Sequence, residues 1–130
     1  MKIMALFSNV TQTQPKDTFE DLQQTLTFVV EDGDLGRAIG RGGSNVRLLS
    51  QKLNRKIKIV AFNSDPLSFI KNFVFPLEVK AMRLEGDIVR IEPQDGQARG
   101  LLIGRGGQNL RNLENVLRRY FDSIKEVKVQ

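Results

Sequence analysis

The nine residues Ile39-Gly40-Arg41-Gly42-Gly43-Ser44-Asn45-Val46-Arg47 return 64 positions later as Ile103-Gly104-Arg105-Gly106-Gly107-Gln108-Asn109-Leu110-Arg111. Seven of the nine are identical, and Val46 against Leu110 swaps one aliphatic for another. A repeat at this period points to two copies of one unit in a chain of 130 residues. A unit of about 65 residues buries only about 60% of its unfolded surface, so the two are expected to lean on each other. The boundary falls at Asn63-Ser64-Asp65-Pro66, giving units 1–63 and 64–130. Asp65 as helix cap and Pro66 at the first helical position make that link short and stiff.

Periodicity places elements around the repeats. Ile3, Leu6, Phe7 and Val10 lie on one face of a helix within 1–13, which Pro15 closes. Residues 16–20 form a weak strand, and 25–30 a stronger one rich in β-branched and aromatic residues. Asp34 is expected to cap a short helix, Leu35 to Ile39, which the glycines break. Ser44 or Asn45 then caps a helix running to Leu53, with Val46, Leu49 and Leu53 inward. Residues 56–60 alternate as a strand. The second unit repeats this order. A helix from Pro66 to Phe73 buries Leu67, Ile70 and Phe73. Strands 77–84 and 87–92 flank a Glu85-Gly86 turn. A short helix ends at Ile103, and a longer one over 108–121 carries the stripe Leu110, Leu113, Leu117, Tyr120. Strand 126–129 ends the chain.

Charge separates the glycine segments from the rest. Residues 31–61 and 97–130 each carry +4, whereas 1–30 and 62–96 carry −1 and −2. No acid lies between Gly36 and Ser64, or between Gly96 and Leu113. Two such windows suit a polyanion such as nucleic acid; the plainer alternative is a solvated basic face. Cys and His are both absent, which removes disulfides, thiolate zinc sites and the commonest general base. No catalytic residue, cofactor or metal is expected. No apolar run approaches the ~20 residues of a membrane span, and the first ten residues lack a signal-peptide pattern. A cytoplasmic monomer is the expectation.

Four chemistries compete for a glycine loop. A Walker loop needs Lys-Ser/Thr after its last glycine, which neither copy has. A dinucleotide fingerprint joins a strand to a helix and needs a third spaced glycine and a later acid; here a helix precedes and both are missing. A plain turn between helices would need one glycine. The fourth chemistry is a helix-Gly-x-x-Gly-helix that lets a sugar-phosphate strand approach bare backbone. The next helix offers its N-terminal N–H groups, and Arg41, Arg47, Arg105 and Arg111 supply charge for phosphates.

These residues carry a family resemblance. Ile-Gly-x-x-Gly-x-x-Ile/Leu/Val is the signature of the KH domain, and both segments match it. Strand-strand-helix-loop-helix-strand resembles the type II, prokaryotic arrangement. The pair resembles the tandem KH portion of NusA-like transcription factors, the archaeal ones above all. The resemblance does not extend to the polymerase-binding N-terminal region or the OB-fold domain of the bacterial members, so direct polymerase contact is not among its implications. The resemblance implies an α/β (α+β) fold of two tandem KH domains, each a three-stranded sheet packed by helices. It implies four nucleotides of single-stranded RNA clamped at each loop, and partners in the transcription machinery. The implied contacts are Ile39, Gly40, Arg41, Gly42, Gly43, Asn45, Val46 and Arg47, with Ile103, Gly104, Arg105, Gly106, Gly107, Asn109, Leu110 and Arg111. Leu35, Ala38, Ile39 and Val46, and Leu102, Ile103 and Leu110, would line the base groove, although such residues on helices are as often core. A KH protein of ribosomes or RNA processing, or an interaction scaffold with structural loops, is the alternative. No aromatic flanks either loop, so Phe28, Phe69, Phe73 and Phe121 are assigned to the core.

Overall fold

The computed structural model describes residues 3–130; Met1 and Lys2, within the expected helix 1–13, lie outside the described residues. The chain divides into two compact units, 1–63 and 64–130.

The first unit runs α1 (Ile3–Thr11), β1 (Asp17–Glu20), β2 (Leu26–Val30), α2 (Leu35–Ile39), α3 (Ser44–Leu53) and β3 (Ile57–Ala61). Its sheet has the order β1-β2-β3. β1 pairs antiparallel with β2, Asp17 opposite Val29, and β3 pairs parallel with β2, Leu26 opposite Ile57. All five residues of the central β2 are buried, the polar Thr27 among them. Leu6 and Phe7 of α1 reach Leu26, Phe28, Ala38 and Leu49 in one core cluster. Phe7 stacks on Phe28 with ring centroids 4.2 Å apart, worth about 1 kcal/mol beyond the buried area.

The second unit repeats the order: α4 (Pro66–Val74), β4 (Val79–Glu85), β5 (Ile88–Pro93), α5 (Gly96–Ile103), α6 (Gln108–Tyr120) and β6 (Glu126–Val129). Its sheet order is β4-β5-β6, antiparallel then parallel. Val89, Ile91, Leu102, Leu113 and Leu117 are buried. Phe69 meets Tyr120 and Phe121 edge-on, at 5.5 and 5.8 Å between centroids.

Several local expectations are corrected. Leu67 is only half-buried on α4, whereas Phe69, assigned to the core, is buried there with Ile70 and Phe73. Asp34 makes no side-chain cap on α2. A 3-10 turn over Asp32–Asp34 leads straight into that helix and leaves Asp34 helical, at φ −97° and ψ −8°. The carboxylate therefore lacks the extended backbone from which a cap reaches back. β3 begins at Ile57 and buries Ile57, Val60 and Ala61 rather than alternating residues.

The packing fixes what the glycine segments can do. Ala38 on α2 and Leu49 on α3 anchor both helices in the first core. Leu102 and Leu113 occupy the corresponding places in the second unit and are also buried. Each turn between the helices is thereby held at both ends.

Candidate nucleic-acid interface

Each segment is a 3-10 turn, Arg41–Gly43 or Arg105–Gly107, set between two helices. Gly40 has φ 78° and ψ 163°, and Gly104 has φ 75° and ψ 173°. That region is open essentially to glycine alone. The next two glycines are left-handed in both copies: Gly42 at 60°, 23° and Gly43 at 77°, 19°; Gly106 at 61°, 19° and Gly107 at 80°, 13°. The expectation that a turn would need one glycine is thus too low. The backbone itself uses three, and the case for binding passes to what surrounds them.

That surrounding is open. A Cβ added at Gly42 or Gly106 would have no heavy atom within 4 Å. Exposure along the nine residues is the same in both copies: Arg41, Gly42, Ser44 and Arg47 are exposed, as are Arg105, Gly106, Gln108 and Arg111, while the other positions are half-buried. Within each turn only the third N–H and the one after it bond backward, Gly43 to the Gly40 carbonyl and Ser44 to that of Arg41; Gly107 and Gln108 match them. The N–H groups of Arg41 and Gly42, and of Arg105 and Gly106, have no partner inside the turn.

The helices that follow begin uncapped. Gly43 and Gly107 occupy the cap positions and contribute no side chain, so neither Ser44 nor Asn45 caps α3. By contrast, Asp65 caps α4 through the Ser68 N–H at 3.0 Å, and Asp95 caps α5 through the Ala98 N–H at 2.8 Å. The two helices that meet the loops have no side-chain cap and turn a positive dipole end toward them.

Asn45 is occupied elsewhere. Its side-chain amide donates to the Arg37 carbonyl at 3.1 Å, and Asn109 donates to that of Leu101 at 2.7 Å. Each ties the start of one helix to the helix before the turn. The asparagine shared by the repeats therefore braces the turn, a role that its identical place in both copies hinted at. Asn45→Ala and Asn109→Ala are each expected to cost about 1 kcal/mol, roughly 4–8 °C in Tm, and an unchanged melting curve would refute the brace. Arg47 also folds back, donating to the Gly42 carbonyl at 2.5 Å.

The structure sorts the basic side chains. Among the described residues, the ion pairs engage Lys16, Arg55, Lys80, Arg83 and Arg90, none of them in the repeats. Of the first basic window, Arg55 is spent on Glu20. Burial pushes the Lys58 ammonium pKa down, against the pull of the Asp21 carboxylate. Arg41, Arg47, Arg105 and Arg111 stay exposed. The residues expected to line a base groove divide by burial. Ala38 and Leu102 are 0% and 4% exposed and belong to the cores, leaving Leu35, Ile39, Val46, Ile103 and Leu110 half-buried. Among the described residues no cluster of His, Cys, Asp or Glu could hold a metal ion, and no helix is long and apolar enough to cross a membrane.

Comparison with known proteins gives the family. The family described as KH domain matches residues 4–80, from α1 into β4. The chain is 31% identical to the "Probable transcription termination protein NusA" of Methanococcus vannielii, over 97% of this chain and 73% of that one. It is also 31% identical to the protein of the same name from Methanocaldococcus jannaschii, over 82% of this chain and 59% of the relative. The crystal structure of APE1850 superposes with a TM-score of 0.78 at 28% identity, covering 98% of this chain and 95% of that one. With its sheets, helices and exposed glycine turns, this chain belongs to the KH domain family, among its NusA-like members.

Proposed function

We propose that residues 1–63 and 64–130 are each a type II KH domain, and that both bind single-stranded RNA through their Gly-x-x-Gly turns. Membership of this family makes the chain a binding factor and not an enzyme. We extend to it the transcription termination role carried in the names of its relatives, with the transcription machinery as its setting.

One observation carries the RNA reading. In both units a helix without a side-chain cap starts beside an exposed glycine and two arginines that, among the described residues, enter none of the ion pairs. A sugar-phosphate strand can lie against Gly42 or Gly106, because beyond the chain neighbours no heavy atom lies within 4 Å of where a Cβ would sit. The free N–H groups and the arginines then meet its phosphates. These contacts give affinity without sequence readout. Bases are left to the half-buried residues Leu35, Ile39, Val46, Ile103 and Leu110. Two turns in one chain bind one strand more tightly than either alone, through effective concentration.

If the two turns neutralise about four to six phosphates, log K should fall with log salt at a slope of roughly −3 to −4, from about −0.7 per phosphate on a single strand. A salt titration checks this, and a slope near zero would count against the reading. Crosslinking bound RNA from cells and sequencing it tests the setting. Nascent transcripts support the transcription role; mature ribosomal RNA would move the chain to the ribosome or to RNA processing.

A further inference from the structure

The two turns share a backbone but not a complete set of neighbours. Arg37 and Leu101 hold the same place, one on α2 and the other on α5, three residues before the opening glycine. Their carbonyls accept the same asparagine amide, at 3.1 and 2.7 Å, so their backbones are fixed alike against the start of the next helix. At 1.5 Å of rise per residue, each lies about 5 Å from its glycine along the helix. Arg37 is exposed and, among the described residues, enters none of the ion pairs. Leu101 is 50% exposed. Arg99, the nearest cation before it, donates to the Gln130 carbonyl at 3.1 Å.

We infer that Arg37 is a third phosphate-binding side chain of the first turn, without a counterpart in the second. This rests on the RNA-binding reading above and deepens it. The first turn then holds a strand with Arg37, Arg41 and Arg47, and the second with Arg105 and Arg111. The first site depends more steeply on salt. The second presents an exposed leucine where the first has a charge. A guanidinium suits this place, because it binds a phosphate by two parallel hydrogen bonds and stays charged at any working pH.

The test is a salt titration of full-length protein on a labelled single-stranded oligouridylate, read by anisotropy. Arg37→Leu should lower the magnitude of the slope by about 0.7, and Leu101→Arg should raise it by about the same. Arg37→Lys should restore most of the wild-type slope. Melting curves should not move, because both side chains are exposed. The inference falls if Arg37→Leu leaves the slope unchanged while Arg41→Asp lowers it; the RNA-binding reading then still stands. A wild-type chain that does not bind the oligouridylate overturns both readings.

Discussion

Replacing Arg41 and Gly42 by Asp, together with Arg105 and Gly106, is expected to weaken RNA binding by at least about 100-fold. Each lost charge-assisted bond is worth about 1.5 kcal/mol or more, and tenfold in affinity is about 1.4 kcal/mol. The introduced carboxylates add repulsion where the N–H groups unpaired within the turn invite an anion, in turns that hold no acid of their own. Either pair alone should cause a smaller loss, since the other turn still holds the strand. The fold should survive. Gly42 and Gly106 sit at φ 60° and 61° with open space around them, and Asp tolerates that conformation at about 1 kcal/mol. A fall in Tm of several degrees is thus expected from the glycine changes and none from Arg41→Asp or Arg105→Asp alone. Wild-type affinity in the fourfold variant, measured by anisotropy, would mean that the turns are not the clamp.

Gly104→Ala should do the opposite, striking the fold before the binding. A Cβ there would lie 2.6 Å from Asn109 Cγ and 2.9 Å from the Asn109 backbone nitrogen. The backbone atom cannot step aside without shifting the start of α6, and φ 75° with ψ 173° adds strain of its own. A loss on the order of 2–3 kcal/mol is expected, roughly 10–20 °C in Tm for a domain of this size. Gly40→Ala should cost less. Its Cβ would meet the Ser44 hydroxyl at 2.7 Å and the Asn45 side chain at 2.9 Å, both of which can rotate. Calorimetry on the two variants decides the order. Equal or negligible losses would show that the turn is free to relax.

Much of this was legible in the chain because the strongest signals are local. Asp65-Pro66 reads as a helix start and is one, since cap and first turn are neighbours in sequence. The β-branched and aromatic stretch 25–30 reads as a strand for the same reason, and β2 spans Leu26–Val30. What failed depended on competition between partners. Asn45 has the chemistry of a cap, but its amide is drawn eight residues back to the Arg37 carbonyl, and no propensity records that tie. Asp34 fails because the turn before it already runs into the helix. Leu67 and Phe69 both read as core, and only packing decides that Phe69 is fully buried and Leu67 half-buried. Sequence also counts all seven basic residues of the first window alike. Structure removes Arg55 to Glu20 and half-buries Lys58.

The two turns reach the same dihedral angles in different company, the largest difference being 10°, between ψ 163° at Gly40 and 173° at Gly104. Their shape is written within nine residues. The segment therefore behaves as a cassette. Evolution can retune what each copy grips by editing the residues beside it, such as Ser44 against Gln108, and leave the hinge itself alone.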